Sequence, residues 1–136
     1  MIYLGCFWGI MCVIFSFLAG LKGWADFFYD RFIRRLSKYR YKRIIEIAFE
    51  IKKAVEDNHG LFGSASLISG IIHGLIMYGV NKISITGIGS MILLFGICLS
   101  GIIDRYIYKD KKGKIRKWHC CLHIINGIII SIHIIF

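Results

Sequence analysis

Four long apolar runs are separated by two strongly basic stretches along this 136-residue chain. The first run is Ile2 to Leu21, extended with aromatic character through Trp24, Phe27, Phe28 and Tyr29. The second (Leu61–Val80), third (Ile83–Ile103) and fourth (Trp118–Phe136) contain no Asp, Glu, Lys or Arg. Crossing a bilayer core takes roughly 20 apolar residues in a helix, and each run is that long. The pattern predicts spans at about 2–28, 60–80, 83–103 and 118–136. Only Asn81 and Lys82 separate the middle two, which predicts a tight antiparallel hairpin. With no proline in the chain, no proline kinks are expected.

Between the first two runs, Ile44, Ile45, Ile47, Ala48, Phe49, Ile51 and Val55 recur at helical spacing against Glu46, Glu50, Lys52, Lys53 and Glu56. This predicts a cytoplasmic amphipathic helix within about 29–58, with Tyr29–Tyr41 prolonging the first span. Its apolar face suits lipid headgroups or a partner. The expected fold is an all-α membrane protein, a single unit of four transmembrane helices in a bundle plus that helix.

Composition agrees. The chain is 57% hydrophobic, which excludes an ordinary soluble domain. Its formal charge of +10 falls in two blocks, Lys22–Lys53 and Arg105–Lys117, beside apolar runs. That is the signature of membrane topology rather than of nucleic-acid binding. Basic connections face the cytoplasm, so both termini are expected outside, in a multi-pass protein of a bacterial or archaeal inner membrane. The first run lacks a charged leader and a clear cleavage site, and is read as a retained span. Cys6, Cys12, Cys98, Cys120 and Cys121 all lie in apolar segments and read as packing residues.

Titratable side chains inside spans are costly and mark function. His59 and His73 are 14 residues apart, as are His119 and His133. Fourteen steps return to nearly the same helix face about 21 Å further along. Topology makes the second and fourth spans parallel, which places His59 with His119 in an inner layer and His73 with His133 in an outer one. Two stacked haems, each ligated by one imidazole from each helix, require that arrangement. Gly9 and Gly23 in the first span, and Gly87 and Gly101 in the third, are also 14 apart. Gly9 and Gly87 belong to the outer layer, and Gly23 and Gly101 to the inner one. A glycine there admits a flat macrocycle where any side chain would intrude.

Carried by His59-x13-His73, His119-x13-His133 and the glycine pairs, the pattern resembles the four-helix dihaem core of the cytochrome b family. That core is seen also in the membrane part of ferric reductases and NADPH oxidases. The resemblance covers nearly the whole chain except the 31–58 insertion. It implies electron transfer between two non-covalent b haems. The chain is shorter than the large cytochromes b, lacks a quinone-pocket loop, and has no flavin, nicotinamide or iron–sulfur motif. It is therefore expected to be an electron-transfer subunit, served by a redox partner on the cytoplasmic or outer face or by quinone.

His123, one turn from His119 on a similar face, is the alternative to it as ligand, or else a residue that meets a propionate or quinone oxygen. A zinc site at His119-Cys120-Cys121-His123 is disfavoured, because adjacent residues on a helix point about 100° apart. The competing class is a non-redox membrane protein (anchor, assembly subunit or pore-forming effector) with incidental histidines.

Overall fold

The computed structural model describes residues 1–37, 39–106 and 114–135. The described residues form four α-helices: α1 (Ile2–Arg31), α2 (Lys42–Gly79), α3 (Ile85–Tyr106) and α4 (Lys114–Ile135). All four are long and apolar enough to cross a membrane. Most of the second basic connection, and Phe136 at the end of the fourth expected span, lie outside the described residues.

Among the described residues no separate amphipathic helix intervenes between the first two spans. After α1 comes one 3-10 turn, Ile33–Arg35, and Lys42–Asn58 is the first half of α2 itself. Asp57, Asn58 and Gly60 look like a helix start, yet the helix runs through them. Asn58 Nδ2 donates to the Ala54 carbonyl one turn back (2.8 Å) instead of capping a new helix. The early half of α2 packs along the end of α1. Lys52 Nζ lies 3.2 Å from Asp26 Oδ1, Lys22 Nζ lies 3.3 Å from Glu56 Oε1, and the Tyr29 and Phe49 rings are 6.2 Å apart.

The α2–α3 turn is as tight as its two-residue length demands. Asn81 adopts φ 54°, the left-handed conformation that asparagine tolerates better than most residues. Asn81 N–H donates to the Tyr78 carbonyl and Lys82 N–H to that of Met77, which closes the helix end. Ser84 then caps α3, its Oγ accepting from Gly87 N–H (3.0 Å).

In sequence order each helix packs on the next, and the seam between α1 and α4 is slight. Among the described residues no Cα of α2 comes within 8 Å of one in α4. These two helices are therefore diagonal partners across the bundle. Large apolar side chains point outward, among them Ile10, Phe17, Leu75, Ile92 and Ile124. The interior is small and polar by contrast, with Ser66 and Asn126 fully buried, and Ser16 and Ser69 buried with them. A helix bundle surrounded by lipid has this distribution, since close approach of backbones replaces hydrophobic burial as the source of packing.

Ser16, Ser66, Leu94 and Asn126 form the buried middle layer, one residue from each helix. Each lies seven residues from the 14-spaced residues of its own helix: His59–Ser66–His73, His119–Asn126–His133, Gly9–Ser16–Gly23 and Gly87–Leu94–Gly101. A seven-residue repeat on all four helices keeps one seam facing the axis. Each helix thus buries one side chain midway between its two 14-spaced residues. Ser66 Oγ ties this middle layer by donating to the Cys12 carbonyl (3.0 Å). Ser66→Ala is expected to cost about 0.6–1 kcal/mol, read by denaturation in detergent, with both flanking layers intact.

Candidate functional site: two diagonal histidine pairs

The diagonal gap between α2 and α4 is crossed twice by histidine rings. The His59 and His119 rings approach with centroids 5.9 Å apart, and those of His73 and His133 with centroids 6.2 Å apart. Both pairs stand edge to face, with ring planes at 71° and 77°. Two imidazoles on opposite sides of one metal ion, each bonded at about 2.0 Å with its ring centre ~1.1 Å behind the nitrogen, have centroids ~6 Å apart.

Each ring is held by its Nδ1. On α2, His59 Nδ1–H donates to the Ala19 carbonyl and His73 Nδ1–H to the Gly5 carbonyl, both at 2.8 Å. Carbonyls only accept, so both rings carry their proton on Nδ1. On α4, His119 Nδ1 lies 3.0 Å from Ser100 Oγ, whose own proton goes to the Ile97 carbonyl (2.8 Å). Ser100 therefore accepts from His119 Nδ1–H. His133 Nδ1 is met by Ser84 Oγ (2.9 Å) and Thr86 Oγ1 (3.1 Å). At His59, His73 and His119 this leaves Nε2 without a proton, while at His133 Nδ1 is occupied by two hydroxyls of which Ser84 Oγ also accepts from Thr86 Oγ1 (3.3 Å). A partner on the second ring nitrogen is what orients metal-bound imidazoles and raises their basicity.

The partners repeat with the histidines. Gly5 and Ala19 are 14 apart on α1, and Thr86 and Ser100 are 14 apart on α3. Since α1 and α3 run against α2 and α4, the same step that separates the rings separates their acceptors. None of Gly5, Ala19, Ser84, Thr86 or Ser100 is singled out by a reading of single-helix spacing. The available signal is a hydroxyl beside each α3 glycine, Thr86-Gly87 and Ser100-Gly101.

Three of the four expected glycines lie against the expected histidines. A Cβ on Gly9 would sit 3.0 Å from His73 Nδ1, one on Gly87 3.3 Å from His133 Cε1, and one on Gly101 3.4 Å from His119 Cε1. Gly23 differs, since a Cβ there would meet nothing within 4 Å. It opens instead onto a cleft of about 400 Å³ between α1 and α4, lined also by Asp26, Phe27, Asp30, Arg31 and Cys120. Its α4 wall is Cys120, next to His119, and its α1 wall runs from Gly23 toward the stalk end of the helix at Arg31.

His123 does not share the His59 ring. Its Nε2–H donates to the Ser16 carbonyl (3.1 Å), and its imidazole fills the place where a Cβ on Gly20 would fall, at 2.7 Å. That leaves His119 as the α4 ring opposite His59. His123 Nδ1 and Asn126 Nδ2, one turn apart, are buried without hydrogen-bond partners. Among the described residues no three metal-ligating side chains gather around one point, and Cys120 and Cys121 are exposed. The arrangement sets one histidine of α2 against one of α4 at each of two levels.

A ligand test follows. His119→Ala should abolish ligation at the basic-end layer, whereas His123→Ala should preserve it. Ser100→Ala should weaken metal-group retention there 10–100-fold by freeing the imidazole to rotate. Optical titration of each variant reads the difference, and a greater loss in His123→Ala would exchange the two roles.

No family model matches the chain, and neither a curated protein nor a solved structure is significantly similar to it.

Proposed function

We propose that the chain is a multi-pass membrane b-type cytochrome that carries electrons across an inner membrane between two bis-histidine haems. The observation that carries this reading is the repeated site: two diagonal histidine pairs with ring centroids 5.9 and 6.2 Å apart, and Nδ1 of every ring engaged by a neighbouring helix. His59 and His119 would hold the inner haem, and His73 and His133 the outer one. Gly9, Gly87 and Gly101 would border the macrocycles, and Gly23 would give onto the cleft between α1 and α4. When bound, the haem iron supplies reversible one-electron chemistry.

The protein's own part is fixed by its residues. Four imidazoles set the ligand field, and Ala19, Gly5, Ser100, Ser84 and Thr86 fix their orientation. The buried layer at Ser16, Ser66, Leu94 and Asn126 separates the two sites, and the lipid-facing apolar shell lowers the dielectric around both. Cytoplasmic placement of the basic connections, with both termini outside, follows from the positive-inside rule. Electrons would enter or leave through a partner subunit, a soluble carrier or quinone.

The deciding experiment is a pyridine haemochrome assay on purified protein. Two haem b per chain and a sharp reduced absorption band are expected. A colourless protein would return the chain to the class of anchors and assembly subunits. Topology is tested separately: cysteine labelling at Lys112 and at Phe136 should report opposite sides of the membrane.

A further inference from the structure

The last third of α1, from Lys22, and the first half of α2 pair side by side as one stalk. Its pairing is the Lys52–Asp26 and Lys22–Glu56 bridges, the Tyr29–Phe49 contact and Lys52 Nζ 5.1 Å over the Tyr29 ring. From Lys42 to Asn58 the helix rises about 24 Å, well clear of headgroups that add only ~5–8 Å to each side of the bilayer core.

The tip of the stalk carries one sign of charge. Seven basic residues and no acidic one occur from Arg31 to Ile45. Arg31, Arg34, Arg35, Arg40, Lys42 and Arg43 are all exposed. Below the tip, Ile44, Ile47 and Ile51 are each more than half exposed. At helical spacing they form a stripe opposite Phe49, Lys52 and Glu56, the side chains that face α1.

We propose that this stalk is the docking arm for a small, soluble, acidic electron-carrier protein on the cytoplasmic side. The inference rests on the dihaem reading and deepens it by naming the class of partner. Three features select that occupant. A purely basic tip complements an acidic surface and steers its approach. An apolar stripe edged by arginine supplies the apolar centre and charged rim of a protein interface. The stalk's height of about 24 Å approaches the ~30 Å diameter of a small domain. A carrier gripped at the tip therefore reaches down to the level of His59 and His119. There one electron would pass from the reduced carrier, oxidised by one, to the group those histidines would hold. Topology alone requires neither a stalk nor an isoleucine stripe. The bilayer is too distant from the tip to be its ligand, and a polyphosphate backbone has no use for the stripe.

The test uses the full chain in neutral-lipid nanodiscs, its haem content measured first, with photoreduced flavodoxin as the acidic probe. Haem reduction should be fast at low salt and should slow at least tenfold in high salt. The variant Arg34→Glu/Arg35→Glu/Arg40→Glu should lose about tenfold at low salt while keeping its haem content and its reduction by dithionite. Lys117→Glu, away from the tip, should lose less than twofold. Equal rates for the tip variant and the wild type overturn the proposal. So does retention of an RNA duplex or of anionic vesicles that depends on the tip arginines while flavodoxin reduction does not. If the chain carries no haem, the functional reading fails by itself. Docking is then read from salt-sensitive binding of labelled flavodoxin, and binding unchanged in the tip variant overturns it.

Discussion

His73→Ala is expected to purify with one haem per chain in place of two. The His73 and His133 rings face each other across helices whose backbones do not approach, so no other side chain substitutes for the lost imidazole. His133 alone would offer one imidazole where the proposed site uses two. The Gly5 carbonyl, which accepts from His73 Nδ1, loses only a second donor, because it lies within α1 and keeps its helical bond. The fold should therefore survive, and the His59–His119 layer, about 21 Å away along the bundle, should stay loaded. His133→Ala should give the same one-haem protein. The double variant should be no worse, since either substitution already removes the shared site. Haem per chain by pyridine haemochrome measures all three. An unchanged ratio in His73→Ala would remove it from the ligand set.

Gly87→Leu should have nearly as large an effect through a different cause. A Cβ at this position falls 2.9 Å from Ser84 Oγ and 3.3 Å from His133 Cε1. The first of these atoms caps α3 and holds His133 Nδ1; the second belongs to the ligand ring. A branched side chain would displace both, at an overpacking cost of typically 1–3 kcal/mol, and would occupy space bordering the ring. Insertion into the membrane should be unharmed, because the helix becomes more hydrophobic. The expected protein is normally inserted and retains about half its haem. Gly79→Leu is the matched control: a Cβ there meets nothing within 4 Å, and full haem content is expected. Equal occupancy in the two variants would show that Gly87 is not part of the site.

How far spacing reaches is clearest at His123 and Gly23. A helix's period says which of its own residues share a face, so His119 and His123 both qualified as ligands, and Gly23 followed Gly9 by 14 residues. It does not say which neighbouring helix that face meets, or at what rotation. Packing decided that His123 turns to the Ser16 carbonyl over Gly20, and that Gly23 borders open space. The same limit hid the Nδ1 partners. Gly5 and Ala19 act through backbone carbonyls, which leave no mark in side-chain identity. Ser84 reads only as a helix cap until α4 is laid beside it.

The stretch 42–58 marks a second limit. Its amphipathic period was legible, but Asn58 can cap a new helix or bond back to the turn before it. The choice falls to Ala54 and to the α1 side chains that pair with this half of α2.

By itself the sequence determined four membrane-length helices, the hairpin at Asn81 and Lys82, and two histidine pairs in step. These depend on composition and period along one helix, and both are local. The diagonal placement of α2 and α4, the meeting of rings at 5.9 and 6.2 Å, and the full burial of Ser66 and Asn126 were decided by tertiary structure alone. They depend on how four helices rotate against one another, which is set by contacts between residues far apart in the chain.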